Sequence, residues 1–168
     1  MPQTTIFRIE VDPNLIPDGE VAPLLAALTD FEPVLEDFGR VIAAGEKEGF
    51  ASQGGSYQQP WAPLADSTVK DRFRKGYGPN EMLVRSGKLA DAIGESVVLS
   101  PGSVQVGVDL SEVPYAAPLQ SGTARMPARV LVAVTDDMID QMLQVLRAYL
   151  ANATGGDLTG IAIVAETA

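Results

Sequence analysis

Between Ala22 and Glu48 the apolar residues Leu24, Leu28, Phe31, Leu35, Phe38 and Ile42 recur at spacings of 4, 3, 4, 3 and 4. A period of 3.6 residues produces that alternation, so all six fall on one stripe of a helix, and the stripe has to be covered by the rest of the chain. Pro33 stands inside it. Its ring removes a backbone donor and clashes with the preceding turn, so the segment is expected to kink or to split into two abutting helices, with Asp30 placed to cap the second. Gly45 and Gly49 loosen the far end.

What covers the stripe has strand periodicity at one end and helix periodicity at the other. From Thr4 to Val11, Ile6, Arg8 and Glu10 point one way and Phe7, Ile9 and Val11 the other, the alternation of a half-buried strand. Asp66 or Ser67 is placed to cap a short helix through Lys75, Gly76 to Asn80 reads as a turn, and Ser86 is placed to cap a helix from Gly87 to Gly94. Ser96 to Ser100 and Val104 to Asp109 flank Pro101-Gly102 as a hairpin, and Val130 to Val134 reads as a further strand. Thr135-Asp136-Asp137 then opens a helix with Met138, Ile139, Met142, Leu146, Tyr149 and Leu150 on one side, and Leu158 to Val164 is apolar enough for a last strand. The expected fold is α+β, an antiparallel sheet packed against a long N-terminal helix and a C-terminal helix. At 168 residues it is expected to be one domain, 1–168, with a flexible loop at about 50–60 around Gly54-Gly55 and a short C-terminal extension, 155–168.

Composition removes whole classes of chemistry. There is no His and no Cys, which excludes Ser-His-Asp and Cys-His triads, thiolate nucleophiles, the usual zinc sites and disulfides. With 12 basic against 22 acidic residues the net charge is −10, opposite to what a phosphate-binding surface needs. Met1-Pro2-Gln3-Thr4-Thr5 lacks the basic start and apolar run of a secretion signal, and no stretch approaches the ~18 apolar residues that span a membrane.

Four local features invite a functional reading. Arg85-Ser86-Gly87-Lys88-Leu89 imitates the end of a phosphate loop, but Met82 stands where the first Gly is required and Leu89 where Ser or Thr is, so a helix start explains it. Asp136, Asp137 and Asp140 are hard-cation ligands in principle, although acids at a helix start need no metal. Lys70, Arg72, Arg74, Lys75, Arg85 and Lys88 put six of the twelve basic residues within nineteen positions. A solvated helix face accounts for such a cluster, and so does a patch that docks on the acidic surface of a neighbouring copy. Trp61, the only tryptophan, either plugs its own core or anchors a partner. No pair of carboxylates stands out for acid-base work, and the chain reads as a non-enzyme without cofactor or metal.

Taken in order, Trp61-Ala-Pro-Leu64, Thr68, Leu83-Val-Arg-Ser-Gly87-Lys-Leu89, Val106-Gly107, Tyr115-Ala116, Gln120-Ser-Gly122 and Pro127-Ala-Arg129 form a recognisable pattern. From about Trp61 to Leu150 the chain resembles the phage virion morphogenesis (tail completion) family of Mu-like phages, related in fold to neck proteins of long-tailed phages. Leu119 stands where that family often carries His.

The resemblance implies a structural virion protein, made in the host cytoplasm, that forms a ring of six copies at the head-tail junction. Its partners would be further copies of itself, the head-closure or connector protein, and the tail terminator or tail tube. A tail-terminator or minor tail subunit ring is the alternative. Trp61, Lys70, Arg72, Arg74, Lys75, Arg85 and Lys88 become candidates for the subunit interface. DNA would pass through the ring unbound, because carboxylates lining a channel repel the phosphate backbone. Asp18 and Glu20, and Asp109 and Glu112, flanked by loop-forming residues, are the candidates for that lining.

Overall fold

The computed structural model describes residues 5–78, 82–100 and 102–167. Thr4 of the expected first strand, Pro79 and Asn80 of the expected turn, and Pro101 of the expected hairpin lie outside them. Among the described residues the order is β1 (Thr5–Val11), α1 (Val21–Thr29), α2 (Glu32–Ala51), α3 (Asp66–Arg74), α4 (Lys88–Ala92), β2 (Ser96–Ser100), β3 (Ser103–Gly107), α5 (Ala116–Ser121), α6 (Asp136–Ala153) and β4 (Ile161–Thr167). The fold is mixed α+β, as the periodicities require.

The chain gathers into two compact units. The first contains residues up to Val41, Val98–Val104 and the chain from Val134 onward; the second contains Ile42–Val97 and Gln105–Ala133. In the first, β4 pairs antiparallel with β1 along its whole length, from Thr5 opposite Thr167 to Val11 opposite Ile161. Phe7 and Ile9 turn inward, and the Phe7 ring lies 5.0 Å from that of Phe38 on α2. The apolar face of α6 is a strict four-residue repeat: Met138, Met142, Leu146 and Leu150 are all buried, each worth about 1.5–3 kcal/mol. Thr135 caps this helix by accepting from the Met138 amide, and Asp136 and Asp137 occupy its first turn, where acids suit the helix dipole.

The long stripe does split. α1 ends at Thr29 and α2 begins at Glu32, so Pro33 sits in the first turn of a helix, where its missing N–H has no bond to lose. Asp30 Oδ1 accepts weakly from the Glu32 amide, 3.4 Å, while the Tyr149 hydroxyl donates to the Asp30 and Ala27 carbonyls. The buried line shifts slightly from the expected one, since Val34 is more deeply covered than Leu35.

Three expectations are corrected. The sheet is two separate two-stranded sheets, β1-β4 and β2-β3. Val130–Val134 is extended but no strand, for a reason given below. The capping residue of α4 is Gly87, with no side-chain hydrogen bond, in place of Ser86. The segment around Gly54-Gly55 also carries apolar anchors that its small residues concealed. Tyr57 and Trp61 are buried, and Trp61 N–H donates to Gln53 O (2.8 Å) and Gln59 N–H to Gly54 O (3.1 Å). Gly54, at φ +83°, has Trp61 Cδ1 only 2.8 Å from where a Cβ would stand, so no other residue fits there.

Candidate interaction surfaces

The residues that carry the family pattern converge on one stretch of backbone in the second unit. Trp61 Nε1 donates to Val130 O (2.8 Å) and the Tyr57 hydroxyl to Leu131 O (3.2 Å). Gln120 does the most: its Oε1 accepts from the amides of Leu131 (2.6 Å) and Val132 (3.1 Å), and its Nε2 donates to Val132 O (2.8 Å). Arg129, buried, reaches back to Ala62 O and Pro63 O at 3.1 and 3.4 Å. Backbone polar groups away from water must be paired, and here side chains supply what a neighbouring strand would otherwise give. That is why an apolar run with strand composition forms no strand. Around it, Phe50, Trp61, Leu89, Ile93, Val113, Ala116, Leu119 and Leu131 make one apolar cluster, with Trp61 edge-on to Phe50 at 5.4 Å. Trp61 therefore plugs its own core and is not exposed as an interface anchor.

Beneath this knot lies a carboxyl group in an apolar place. Glu46 on α2 is fully buried, and neither oxygen has a hydrogen-bond partner among the described residues. Burial pushes its pKa from 4.5 up to about 7; the Gly94 backbone pulls the other way without forming a bond of good geometry. The Tyr57 phenol is raised too, by burial first and then by the nearby Glu46 charge.

The six clustered cations divide. Lys70, Arg74, Lys75, Arg85 and Lys88 are exposed. Arg72 is buried, with its Nε unpartnered among the described residues, so it is no part of an open patch. Arg74 and Lys75 both pair with Asp71, at 2.6 and 2.8 Å, and hold its carboxyl below the usual range. Arg85 lies over the Tyr77 ring, 5.0 Å from its centre. The residue that sequence reasoning missed is Phe73, 75% exposed between Arg72 and Arg74. In the sequence it reads as an ordinary apolar position one turn after Val69, and nothing there says that its face stays open.

The four candidate channel acids are not equivalent. Asp18 is exposed in the turn before α1. Glu20 is half-buried, with Oε2 shut away and unpartnered among the described residues. Asp109 accepts from the Ser111 amide (2.8 Å) and hydroxyl (2.7 Å), which holds its pKa below the usual value, and Glu112 pairs with Lys88 at 3.5 Å. Asp109 thus has a structural duty that its loop setting did not reveal. The wider distribution of charge is uneven. Counted along the sequence, the first unit holds three basic against thirteen acidic residues, a net −10, while the second holds nine of each.

The profile of the phage virion morphogenesis family matches residues 18–151. The chain belongs to that family. The match runs from α1 into α6, short of that helix's last two residues, includes the segment around Gly54-Gly55, and leaves out the whole β1-β4 ribbon. No curated protein and no solved structure matches the chain. A phage virion morphogenesis protein is a structural component of the virion and no enzyme, and its partners are other virion proteins. Among the described residues, no helix is long and apolar enough to cross a membrane.

Proposed function

We propose that this virion morphogenesis protein closes a ring, of six copies, at the head-tail junction, where it joins tail to head and lets DNA pass. The observation that carries the reading is the split of charge, −10 in one unit and zero in the other. Two unlike surfaces on one chain favour a head-to-tail contact between copies, and such contacts make a ring where the rotation between copies closes. The surplus acids of the first unit then suit a shared aqueous lumen, where a negative field keeps DNA hydrated and unattached. Asp18, exposed and in the acidic unit, is the best placed of the four candidates to line it. The head-closure or connector protein would lie on one side of the ring and the tail terminator or tail tube on the other.

Electron microscopy of virions carrying a tagged copy of the chain tests this. Tag density in a collar at the neck is the expected result. Density at the far end of the tail or along the tube would overturn the neck assignment in favour of a terminator or minor tail subunit.

A further inference from the structure

At the end of α3 the usual order of burial is inverted: Arg72 is 7% exposed, while the adjacent Phe73 is 75% exposed. Folding alone favours the opposite arrangement, because an exposed phenyl ring forgoes the gain of leaving water and a buried guanidinium loses its hydration. Around Phe73 the surface is apolar and cationic. The Tyr77 amide bonds to Arg72 O (3.0 Å), which ties Tyr77 to the end of α3, and Arg85 stacks on its half-exposed ring. Lys70 and Arg74 are exposed on the same helix, and the acid that stands between them, Asp71, is already paired with Arg74 and Lys75. An exposed aromatic on a helix that also carries exposed cations has the composition of a binding hot spot.

The first unit offers the complement. On α1, Leu24 is buried, whereas Val21 and Leu25, one helical turn apart, are 37% and 59% exposed. That stripe runs through exposed Thr29 into exposed Asp30 and Glu32. It is an uncovered apolar strip with acids at its end, on the unit that holds the whole net charge of −10. Both surfaces lie inside residues 18–151, the segment shared with the family.

We propose that Phe73 of one copy docks on the Val21-Leu25 strip of α1 in the next, with Lys70, Arg74 and Arg85 facing Asp30 and Glu32. The inference deepens the ring reading and rests on it, naming the two faces that meet. Each copy gives one face and receives on the other, so the contact propagates from copy to copy.

Photo-cross-linking with benzoylphenylalanine at position 73 tests it, on the purified chain mixed from heavy- and light-isotope copies and on virions. The expected product joins position 73 to a peptide containing Val21–Glu32 of a different copy, and Leu25→Lys lowers its yield by about tenfold or more. Complementation gives a second measure by sedimentation. Phe73→Ser and Leu25→Lys chains each stay single, but their mixture forms a one-to-one pair that grows no further, since only one intact contact is left. Cross-links confined to one copy, cross-links to a different virion protein, or their absence in virions would overturn the proposal. It also fails if Phe73→Ser chains self-associate as the parent does. Cross-links as expected in particles whose tag density lies away from the neck would keep this contact and remove only the neck assignment.

Discussion

At Glu46 a single carboxyl sets a pH dependence for the fold. Its pKa is raised from 4.5 to about 7 by burial, so the folded chain holds a proton that the unfolded chain releases between those values. Stability from this group is therefore intact below pH 4.5 and is lost as pH rises through 7, at a cost on the order of 3 kcal/mol once the charge is forced inside. Glu46→Gln removes that cost. The variant should melt higher than the parent at pH 8 and level with it near pH 4.5; equal melting at both pH values would show that the charge escapes to water. Three residues along, Gly49 lies directly under the Tyr57 ring, with no room for a Cβ. Gly49→Ala should push Tyr57 off α2, break its bond to Leu131 O, and destabilise the chain by about 1–3 kcal/mol in denaturant titration. Neither residue announces this in the sequence, where Gly49 reads as a helix-loosening glycine and Glu46 as one acid among many.

For elements, legibility followed length. α6 and the α1-α2 pair come straight from their apolar periods, because a stripe repeated over several turns leaves one face to bury. β1 was readable from alternation and β4 from the apolar run Leu158 to Val164, yet their pairing was not, since more than a hundred residues separate them. Val130 to Val134 has strand composition, but composition does not say what will satisfy its backbone. Gln120 does so from α5, and Tyr57 and Trp61 from a segment about seventy positions away. Gln120→Ala should accordingly leave the Leu131 and Val132 amides unpaired, cost about 1–3 kcal/mol, and speed their hydrogen exchange while α6 stays protected. If those amides exchange as slowly as before, some other acceptor holds the segment. The segment at 52–61 is expected to show slow exchange at Gly54, Gln59 and Trp61, whose amides are bonded, and fast exchange at Tyr57, for which no backbone acceptor is present among the described residues.

On the scale of the whole molecule, the partition of charge and the path of α2 lead to two expectations. α2 contributes residues up to Val41 to the first unit and from Ile42 to the second, so unfolding one unit frays a helix that the other needs. A single calorimetric transition is expected for the chain as one domain; two resolved transitions would mean that the units fold independently. The proposed association between copies, a neutral unit with a cationic face against a unit of −10, should weaken as salt screens it. Arg74→Glu with Arg85→Glu should have the same effect while leaving the monomer folded. Arg72 is left unchanged in this test, because its buried position would confuse loss of folding with loss of contact.

The sequence by itself determined the apolar stripes and therefore the principal helices. It also determined the acidic surplus and, by lacking His and Cys, the chemistries the chain does not have. It carried enough of the ordered pattern from Trp61 to Arg129 to point to the family. These are properties of composition and of backbone geometry over a few consecutive turns, and neither depends on what the chain meets elsewhere. Only the tertiary structure decided that Trp61 faces inward, that Arg72 is covered while Phe73 is bare, and that Asp109 serves a turn. In a helix as short as α3 or an extended run such as 130–134, which groups face inward is settled by distant partners. The Tyr57 hydroxyl that meets Leu131 O does so across 74 positions of chain, a separation over which local periodicity carries no information.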